Sequence, residues 1–173
     1  YFLIIKFLYY YINDYLKPDE IKKLNSAFNK KAEKFTKKAI TLKTSTAVQM
    51  PYEELKKIKD VNYSILKINR AAYGFDLYEN INDWVVQNTY KSTNQGEYKW
   101  HIDGEEYDEK FTTKLTTLIN LSEKEYSGGK FFLFNNEPVE IKELNKPGSL
   151  VVFPSFILHQ VTPVTRGTRI SAT

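Results

Sequence analysis

The chain has 173 residues, of which 42% are hydrophobic and 15% aromatic, so its composition excludes a disordered protein and predicts a folded globular one. It contains no cysteine, which excludes disulfides and thiolate metal sites and is compatible with the reducing cytoplasm, of a bacterium or of a phage's host, in which we expect it to act. Its net charge of +4 is mildly basic and permits contact with nucleic acid without requiring it.

The length predicts a single domain over residues 1–173. The first stretch, residues 1–12, is very apolar and rich in aromatic and β-branched residues, which predicts a β-strand. It is too short to span a bilayer and Lys6 interrupts it, so we expect no membrane segment. It also lacks the basic start and the small-residue cleavage site of a signal peptide.

Residues 18–38 are predicted to form the first helix, with Pro18 in its first turn. One face carries an apolar stripe at helical spacing, formed by Ile21, Leu24, Phe28, Ala32 and Phe35. The opposite face is basic and carries Lys22, Lys23, Lys30, Lys31, Lys34, Lys37 and Lys38. A phosphate-binding role is one interpretation. A solvated helix surface is the simpler one, because no aromatic platform or arginine cluster accompanies the lysines.

Further short elements are predicted to brace one face of a sheet. A strand at residues 46–50 precedes a weak helix at 52–58. A third helix follows over residues 60–73, capped by Asp60 and ended by Gly74. The helical support of the domain therefore extends roughly over residues 18–74.

From residue 84 onward the pattern changes to short strands separated by turns. The predicted strands cover residues 84–91, 97–103, 115–121, 130–134, 139–144, 149–153, 160–164 and 168–172. Many short strands with turn signals at near-regular spacing predict a sandwich or a barrel as the core, roughly over residues 84–173.

The only two histidines of the sequence and one aspartate form a candidate metal site. His101 and Asp103 lie two residues apart in a predicted strand, where side chains at i and i+2 point the same way. His159 follows an apolar stretch of β-type residues. Two imidazoles and one carboxylate on one face of an ion leave the opposite face open, as in non-haem Fe(II) oxygenases. The pattern therefore predicts iron ligation by these three residues.

Each part of this pattern also has a simpler explanation. An H-x-D triplet alone is common, and a lone histidine beside an apolar run is more often a satisfied core residue than a ligand. The combination favours the site, because Arg169 follows His159 by ten positions on the predicted last strand. A buried arginine there can hold a dicarboxylate with two parallel hydrogen bonds.

Three segments of the second half of the chain carry a resemblance to a known family. Residues 159–169 have the sequence HQVTPVTRGTR, residues 126–130 the sequence YSGGK, and residues 147–154 the sequence PGSLVVFP. The first is similar to the signature of the bacterial PKHD-type hydroxylases. The other two resemble the Gly-Gly hairpin entry and the strand before the distal histidine in the same branch. Over residues 84–173 the chain thus resembles the prolyl 4-hydroxylase-like branch of the Fe(II)/2-oxoglutarate-dependent oxygenases.

The resemblance implies a mainly β fold, a double-stranded β-helix or jelly-roll with helices packed outside. It implies Fe(II), 2-oxoglutarate and O2 as cofactor and cosubstrates, with ascorbate as a supporting reductant. In the implied reaction, iron binds 2-oxoglutarate through its keto oxygen and one carboxylate, and Arg169 pairs with the other carboxylate. The products are succinate, CO2 and a hydroxylated side chain of a protein or peptide, proline first.

Further contacts to 2-oxoglutarate are expected on neighbouring strands. Ser171 faces the same side of its strand as Arg169 and can add a hydrogen bond, although an ordinary strand serine explains it equally well. The family often uses a tyrosine on the strand before the H-x-D strand, which points to Tyr90, for which a core tyrosine is the alternative. Asn120 is expected to face inward with Thr116, where an asparagine needs a partner that 2-oxoglutarate would provide.

The aromatic residues beside the first histidine are not assigned a catalytic role. Tyr98 and Trp100 have the opposite parity to His101 and Asp103 if the strand is regular. We therefore expect both rings to point away from the metal ligands, with Trp100 in the core.

Two other functions remain open at this point. The lysine-rich helix motivates an oxidative nucleic-acid demethylase on the same core, and a jelly-roll with a vestigial site would be a non-catalytic binding module. The loop at residues 104–109 is acidic and follows the aspartate ligand directly, which favours a neutral or basic peptide over a phosphate backbone. A solvated loop explains its charge as well.

Overall fold

The computed structural model describes residues 8–31, 33–34, 42–77, 84–104 and 113–173. The α-helices in this part of the chain are α1 (Pro18–Lys31), α2 (Tyr52–Lys56) and α3 (Val61–Ile68), the last continued by a π-helical turn at Asn69–Tyr73. Within these ranges, no helix has the length and apolar character needed to cross a membrane.

Helix α1 buries its apolar stripe as predicted. Ile21, Leu24 and Phe28 lie in the core, whereas Ala32 and Phe35 fall outside the described residues. The lysines of its opposite face that the structure describes are all exposed, namely Lys22, Lys23, Lys30 and Lys31. The helix is therefore amphipathic, with its apolar side contributing to the packing and its basic side in contact with solvent.

The predicted end of this helix at Lys38 is wrong. The helix ends at Lys31, and β2 (Glu33–Lys34) pairs antiparallel with β3 (Thr46–Pro51). The backbone of β2 thus bonds to the edge of the sheet, where its hydrogen bonds replace those of a further helical turn.

The predicted boundaries of the third helix are confirmed. The carboxylate of Asp60 accepts a hydrogen bond of 3.1 Å from the backbone nitrogen of Tyr63, which caps the helix start. Gly74 ends the π-helical turn with a φ of 70°, in the left-handed region that glycine adopts without strain.

Two antiparallel sheets and a two-stranded ribbon form the β-core of the described chain. The larger sheet has the strand order β1-β10-β6-β13-β4-β3-β2, with β1 at Tyr10–Ile12, β4 at Trp84–Lys91, β6 at Leu115–Asn120, β10 at Leu150–Pro154 and β13 at Thr168–Ala172. The smaller sheet has the order β5-β11-β8-β9, with β5 at Tyr98–His101, β8 at Phe131–Asn135, β9 at Glu137–Glu140 and β11 at His159–Val161. The ribbon pairs β7 (Ser127–Gly128) with β12 (Val164–Arg166).

The large sheet lies between the helices and the small sheet. On β10, Leu150 and Val152 pack in the cluster that contains the helical residues, whereas Val151 and Phe153 pack with residues of the small sheet. The ring of Phe153 lies 5.6 Å from that of Phe131 on β8, measured between centroids. Two facing antiparallel sheets with helices outside form the predicted jelly-roll.

Two predicted strands differ in extent because the chain turns within them. The strand predicted at residues 139–144 ends at Glu140, and a 3-10 turn at Lys142–Asn145 then buries Leu144. The strand predicted at residues 160–164 is divided into β11 and β12. Pro163 lies in the break, where it has no amide hydrogen to donate to a ladder.

The strand predicted at residues 1–12 is described only at its end. Tyr10–Ile12 pairs antiparallel with Leu150–Val152 at the edge of the large sheet, and residues 1–7 lie outside the described ranges.

Substitution of Gly148 by alanine should destabilise the fold strongly. Its φ is 78°, and an added Cβ would lie 2.2 Å from the carbonyl oxygen of Leu16, whose nitrogen donates to the Gly148 carbonyl at 3.0 Å. We expect Gly148→Ala to lower the free energy of unfolding by about 2–5 kcal/mol, from backbone strain and overpacking together. Urea denaturation followed by circular dichroism measures the effect.

Gly74→Ala is the matched control for this substitution. Gly74 has a similar φ of 70°, but nothing lies within 4 Å of an added Cβ. Only the backbone strain applies there, so we expect Gly74→Ala to lower the free energy of unfolding by about 1–2 kcal/mol. Equal losses for the two variants would show that the contact between Gly148 and Leu16 does not constrain the fold.

Candidate metal centre

His101, Asp103 and His159 come together beside the pairing of β5 with β11. His101 ends β5, His159 begins β11, and the two residues lie opposite each other in the antiparallel ladder. One candidate ligand atom from each of the three side chains can be chosen so that all lie within 4.8 Å of one another. Nε2 of His101 is 3.8 Å from Oδ1 of Asp103, and Nε2 of His159 is 3.5 Å from Oδ2. The three predicted positions therefore converge on one donor set of two nitrogens and a carboxylate.

The hydrogen bonds of the two imidazoles orient both rings in the same way. Nδ1 of His101 lies 2.7 Å from the carbonyl oxygen of Lys99, and Nδ1 of His159 lies 2.9 Å from that of Ile157. A carbonyl oxygen only accepts hydrogen bonds, so each Nδ1 carries the proton and each neutral ring presents the lone pair of Nε2. Those are the atoms that face Asp103.

The surroundings of the two histidines favour the neutral form that binds metal. Burial, with a further contribution from the charge of His159, lowers the pKa of His101 to about 4. Burial also lowers the pKa of His159, although Asp103 acts in the opposite direction. Both rings are therefore unprotonated at neutral pH, and metal binding requires no displacement of a proton from Nε2.

Asp103 is held by contacts from two other segments. Its backbone nitrogen donates to the carbonyl oxygen of Ser155 at 3.0 Å, and the hydroxyl of Thr116 donates to Oδ2 at 2.6 Å. Its side chain is 29% exposed, against 8% and 5% for the side chains of His101 and His159. The carboxylate therefore lies on the more open side of the cluster.

Arg169 is the largest fully buried side chain among the described residues, and its charge has no ion-pair partner there. Only 1% of its surface is exposed. Its Nη1 donates to the hydroxyl of Ser171 at 3.0 Å, whereas Nη2 is buried without a hydrogen-bond partner. No carboxylate lies within ion-pair distance of it in the part of the chain that the structure describes. A buried guanidinium in this state is costly, and an anionic ligand at Nη2 would compensate it.

Tyr90 lies next to Arg169 in the sheet and close enough to Asp103 for the two groups to interact electrostatically. It is paired with Arg169 across β4 and β13, and the guanidinium carbon lies 5.3 Å from the centre of its ring. Burial raises the pKa of Tyr90 to about 12, although the charge of Arg169 acts in the opposite direction and Asp103 adds to the rise. The hydroxyl therefore keeps its proton at neutral pH and can donate a hydrogen bond.

The second glycine of the YSGGK segment leaves room for Arg169. Gly129 has a φ of 59°, and an added Cβ would lie 2.9 Å from Cδ of Arg169 and from a methyl carbon of Val164. The sequence pattern marked this segment as a hairpin entry. Its contribution to the arginine site depends on a long-range contact that no local pattern indicates.

The two remaining candidate contacts differ in what they can offer a ligand. Ser171 lies on the same face as Arg169, as predicted, and holds its Nη1. Asn120 faces inward, also as predicted, but its amide nitrogen already donates to the carbonyl oxygens of Leu144 at 2.8 Å and Asn145 at 3.2 Å. Since these bonds satisfy the amide group, the reason for expecting a cosubstrate there no longer applies.

The prediction that Tyr98 points away from His101 is wrong, because β5 contains a β-bulge. His159 lies opposite His101 and Val161 opposite Tyr98, so three steps along β5 match two along β11. The ring of Tyr98 therefore stacks on that of His101, with centroids 3.4 Å apart and planes inclined by 12°. Trp100 lies half-buried against Phe134, which is 42% exposed, and not in the core.

One contact of the site was missed by sequence reasoning altogether. Thr116 was placed on the inward face of its strand, which is confirmed, but its bond to Asp103 joins two segments that no spacing relates. The acidic loop expected at residues 104–109 lies outside the described residues from position 105 onward.

Solved structures share this fold over nearly the whole chain. A prolyl-4-hydroxylase of Pseudomonas putida aligns with a TM-score of 0.73 at 18% identity and covers 98% of this chain and 91% of its own. The viral collagen prolyl hydroxylase of Paramecium bursaria Chlorella virus-1 aligns with a TM-score of 0.70 at 22% identity, over 95% and 93% of the two chains. At these identities the likeness establishes the jelly-roll fold.

Sequence similarity identifies the family to which the chain belongs. A PKHD-type hydroxylase of Gluconacetobacter diazotrophicus is 42% identical over 62 residues, a match that spans 35% of this chain but only 26% of that relative. The model of the 2OG-Fe(II) oxygenase superfamily matches residues 86–173, which include all three candidate ligands and Arg169. The chain therefore belongs to the 2OG-Fe(II) oxygenase superfamily.

Proposed function

We propose that the protein is an Fe(II)- and 2-oxoglutarate-dependent dioxygenase that hydroxylates a side chain of a protein or peptide, with proline as the first candidate. The observation that carries the proposal is the cluster of His101, Asp103 and His159, whose candidate ligand atoms lie within 4.8 Å of one another. The buried and uncompensated guanidinium of Arg169 supports it independently, because it supplies a place for a second anionic group.

In this proposal the three clustered side chains hold the iron. The Nδ1 bonds to Lys99 and Ile157 fix both rings with Nε2 toward the metal, and the low pKa of each ring keeps Nε2 free of a proton. Two nitrogens and one carboxylate suit Fe(II) with positions left for other ligands. With 2-oxoglutarate and O2, the iron supplies an oxidative decarboxylation, to succinate and CO2, coupled to hydroxylation of the substrate.

Arg169 and Tyr90 are proposed to hold the distal carboxylate of 2-oxoglutarate. Nη2 of Arg169 is the donor without a partner, and the protonated hydroxyl of Tyr90 is a neutral donor beside it. Ser171 orients the guanidinium by accepting the hydrogen bond from Nη1. In this assignment the positive charge of Arg169 binds the distal carboxylate and does not compete with the iron for the three metal ligands.

The substrate class is inferred from the proteins that the chain resembles. Both structural neighbours described above are named prolyl hydroxylases, and the sequence relative is named a PKHD-type hydroxylase. These names support a peptide or protein substrate with proline as the target. We place the activity in a single domain and in the cytoplasm, with ascorbate as a supporting reductant.

Replacement of His159 by alanine should abolish 2-oxoglutarate turnover, because the iron loses one of two imidazole ligands. Succinate release in the presence of Fe(II) and ascorbate measures the activity. The matched control is Gln160→Ala, which changes the next residue of β11, whose side chain alternates to the other face of the sheet. A fully active His159→Ala protein would contradict the assignment of the metal site.

Replacement of Arg169 by methionine should weaken 2-oxoglutarate binding while leaving the metal site intact. The loss of a charge-assisted hydrogen bond predicts a rise of about 10- to 100-fold in the KM for 2-oxoglutarate. Binding of Co(II), used as a redox-stable substitute for Fe(II), should stay near the wild-type value. An unchanged KM would show that the cosubstrate carboxylate binds elsewhere.

Ser171→Ala is the matched control for the arginine substitution. It removes the hydrogen-bond partner of Nη1 and leaves the guanidinium in place, so we expect only a severalfold rise in the same KM. A rise as large as that of Arg169→Met would indicate that Ser171 contacts the cosubstrate itself.

Succinate release with and without a panel of peptides tests the substrate class. We expect turnover to increase with proline-containing peptides and not with the same peptides in which alanine replaces proline, and mass spectrometry should detect the added oxygen. Stimulation by methylated oligonucleotides in place of peptides would instead support the demethylase alternative. Slow, unstimulated turnover would support the iron site while contradicting proline in the tested peptides as the target.

A further inference from the structure

Thr116 connects a strand of the large sheet with a metal ligand that follows a strand of the small one. Its hydroxyl donates to Oδ2 of Asp103 at 2.6 Å, a length typical of a charge-assisted bond from a hydroxyl to a carboxylate. The side chain is buried, and Thr116 lies opposite Phe153 in the ladder between β6 and β10. The donor is therefore held by the regular backbone of the sheet.

Asp103 depends on such a partner more than the histidines do. Each imidazole is oriented by a carbonyl two residues earlier in its own segment. Asp103 lies beyond the end of β5 and next to Gly104, whose φ is 86°. Because no regular pairing fixes this position, its carboxylate takes its orientation from Thr116, while the bond to Ser155 fixes the backbone.

The hydrogen bond fixes the rotation of the carboxylate. Oδ2 accepts from the hydroxyl of Thr116 and lies 3.5 Å from Nε2 of His159, whereas Oδ1 lies 3.8 Å from Nε2 of His101. Each oxygen therefore faces one imidazole, and loss of the bond from Thr116 would release the carboxylate from this orientation.

We propose that Thr116 is a positioning residue that holds the carboxylate of Asp103 in the orientation in which it would bind a metal together with the two imidazoles. The inference rests on the proposed function. With the bond from Thr116 in place, the donor set would be formed before the ion arrives. Without it, the carboxylate of Asp103, whose side chain is 29% exposed, would turn toward solvent, and the ion would be bound more weakly and in a changed environment.

Three variants separate this role from simple packing. Thr116→Val removes the hydroxyl with almost no change of shape, and Thr116→Ser keeps the hydroxyl while removing the methyl group. Thr117→Val makes the same chemical change one residue along β6, on the opposite face of the strand. Thermal unfolding of all three shows whether each variant is folded.

The measurement is Co(II) binding, followed by visible absorption, whose intensity depends on the coordination number of the ion. For Thr116→Val we expect the Kd for Co(II) to rise about tenfold and the spectrum at saturation to differ from that of the wild type. Thr116→Ser should restore both properties, and Thr117→Val should leave them unchanged. A change of spectrum at saturation is not produced by a loss of stability alone.

The outcomes distinguish this inference from the proposed function. A Thr116→Val protein with the wild-type Kd and spectrum overturns the positioning role and leaves the metal site standing. A failure of Thr116→Ser to restore the spectrum also overturns it, because the effect would then come from packing. A wild-type protein that binds no Co(II) overturns the proposed function and the inference with it.

Discussion

The antiparallel pairing of β5 with β11 is the constraint on which the rest of the site depends. It places His101 directly opposite His159, although 58 positions separate them in the sequence (159 − 101). The ladder fixes the backbones, and a carbonyl two residues before each histidine fixes the ring. Both Nε2 atoms are thus oriented without any ligand, so the protein meets the conformational cost of the site during folding.

The buried charge of Arg169 differs from the histidines, because burying it opposes folding and would favour the binding of an anion. A guanidinium with 1% of its surface exposed has lost its hydration, and within the described chain only Ser171 and the ring of Tyr90 replace it. Burying it is unfavourable in the free protein, and the proposed carboxylate of 2-oxoglutarate would compensate the cost. A core selected for stability alone would have an apolar residue at this position. A buried arginine without an ion-pair partner therefore indicates a ligand more strongly than an ion-paired arginine would.

Sequence reasoning found those parts of the site that follow from local periodicity. The i and i+2 spacing of His101 and Asp103 and the inward face shared by Arg169 and Ser171 need only strand alternation, and the structure places these side chains accordingly. The orientation of Tyr98 was predicted wrongly because a β-bulge depends on the pairing of two strands and cannot be recognised from the sequence of one strand. The end of helix α1 was misplaced for a related reason, since Glu33 and Lys34, which lie within the predicted helix, pair with β3 instead.

The contacts around Asp103 show that the site is complete only when the two sheets pack on each other. The aspartate follows a strand of the small sheet, yet its partners, Thr116 and Ser155, belong to the large sheet and to the turn after β10. Phe153 of the large sheet also packs against the ring of His159, at a centroid distance of 4.9 Å. The same hydrophobic contact that joins the sheets therefore brings the carboxylate to the imidazoles. The geometry of the candidate ligands thus depends on the packing of the core, because neither sheet alone holds all three candidate ligands in place.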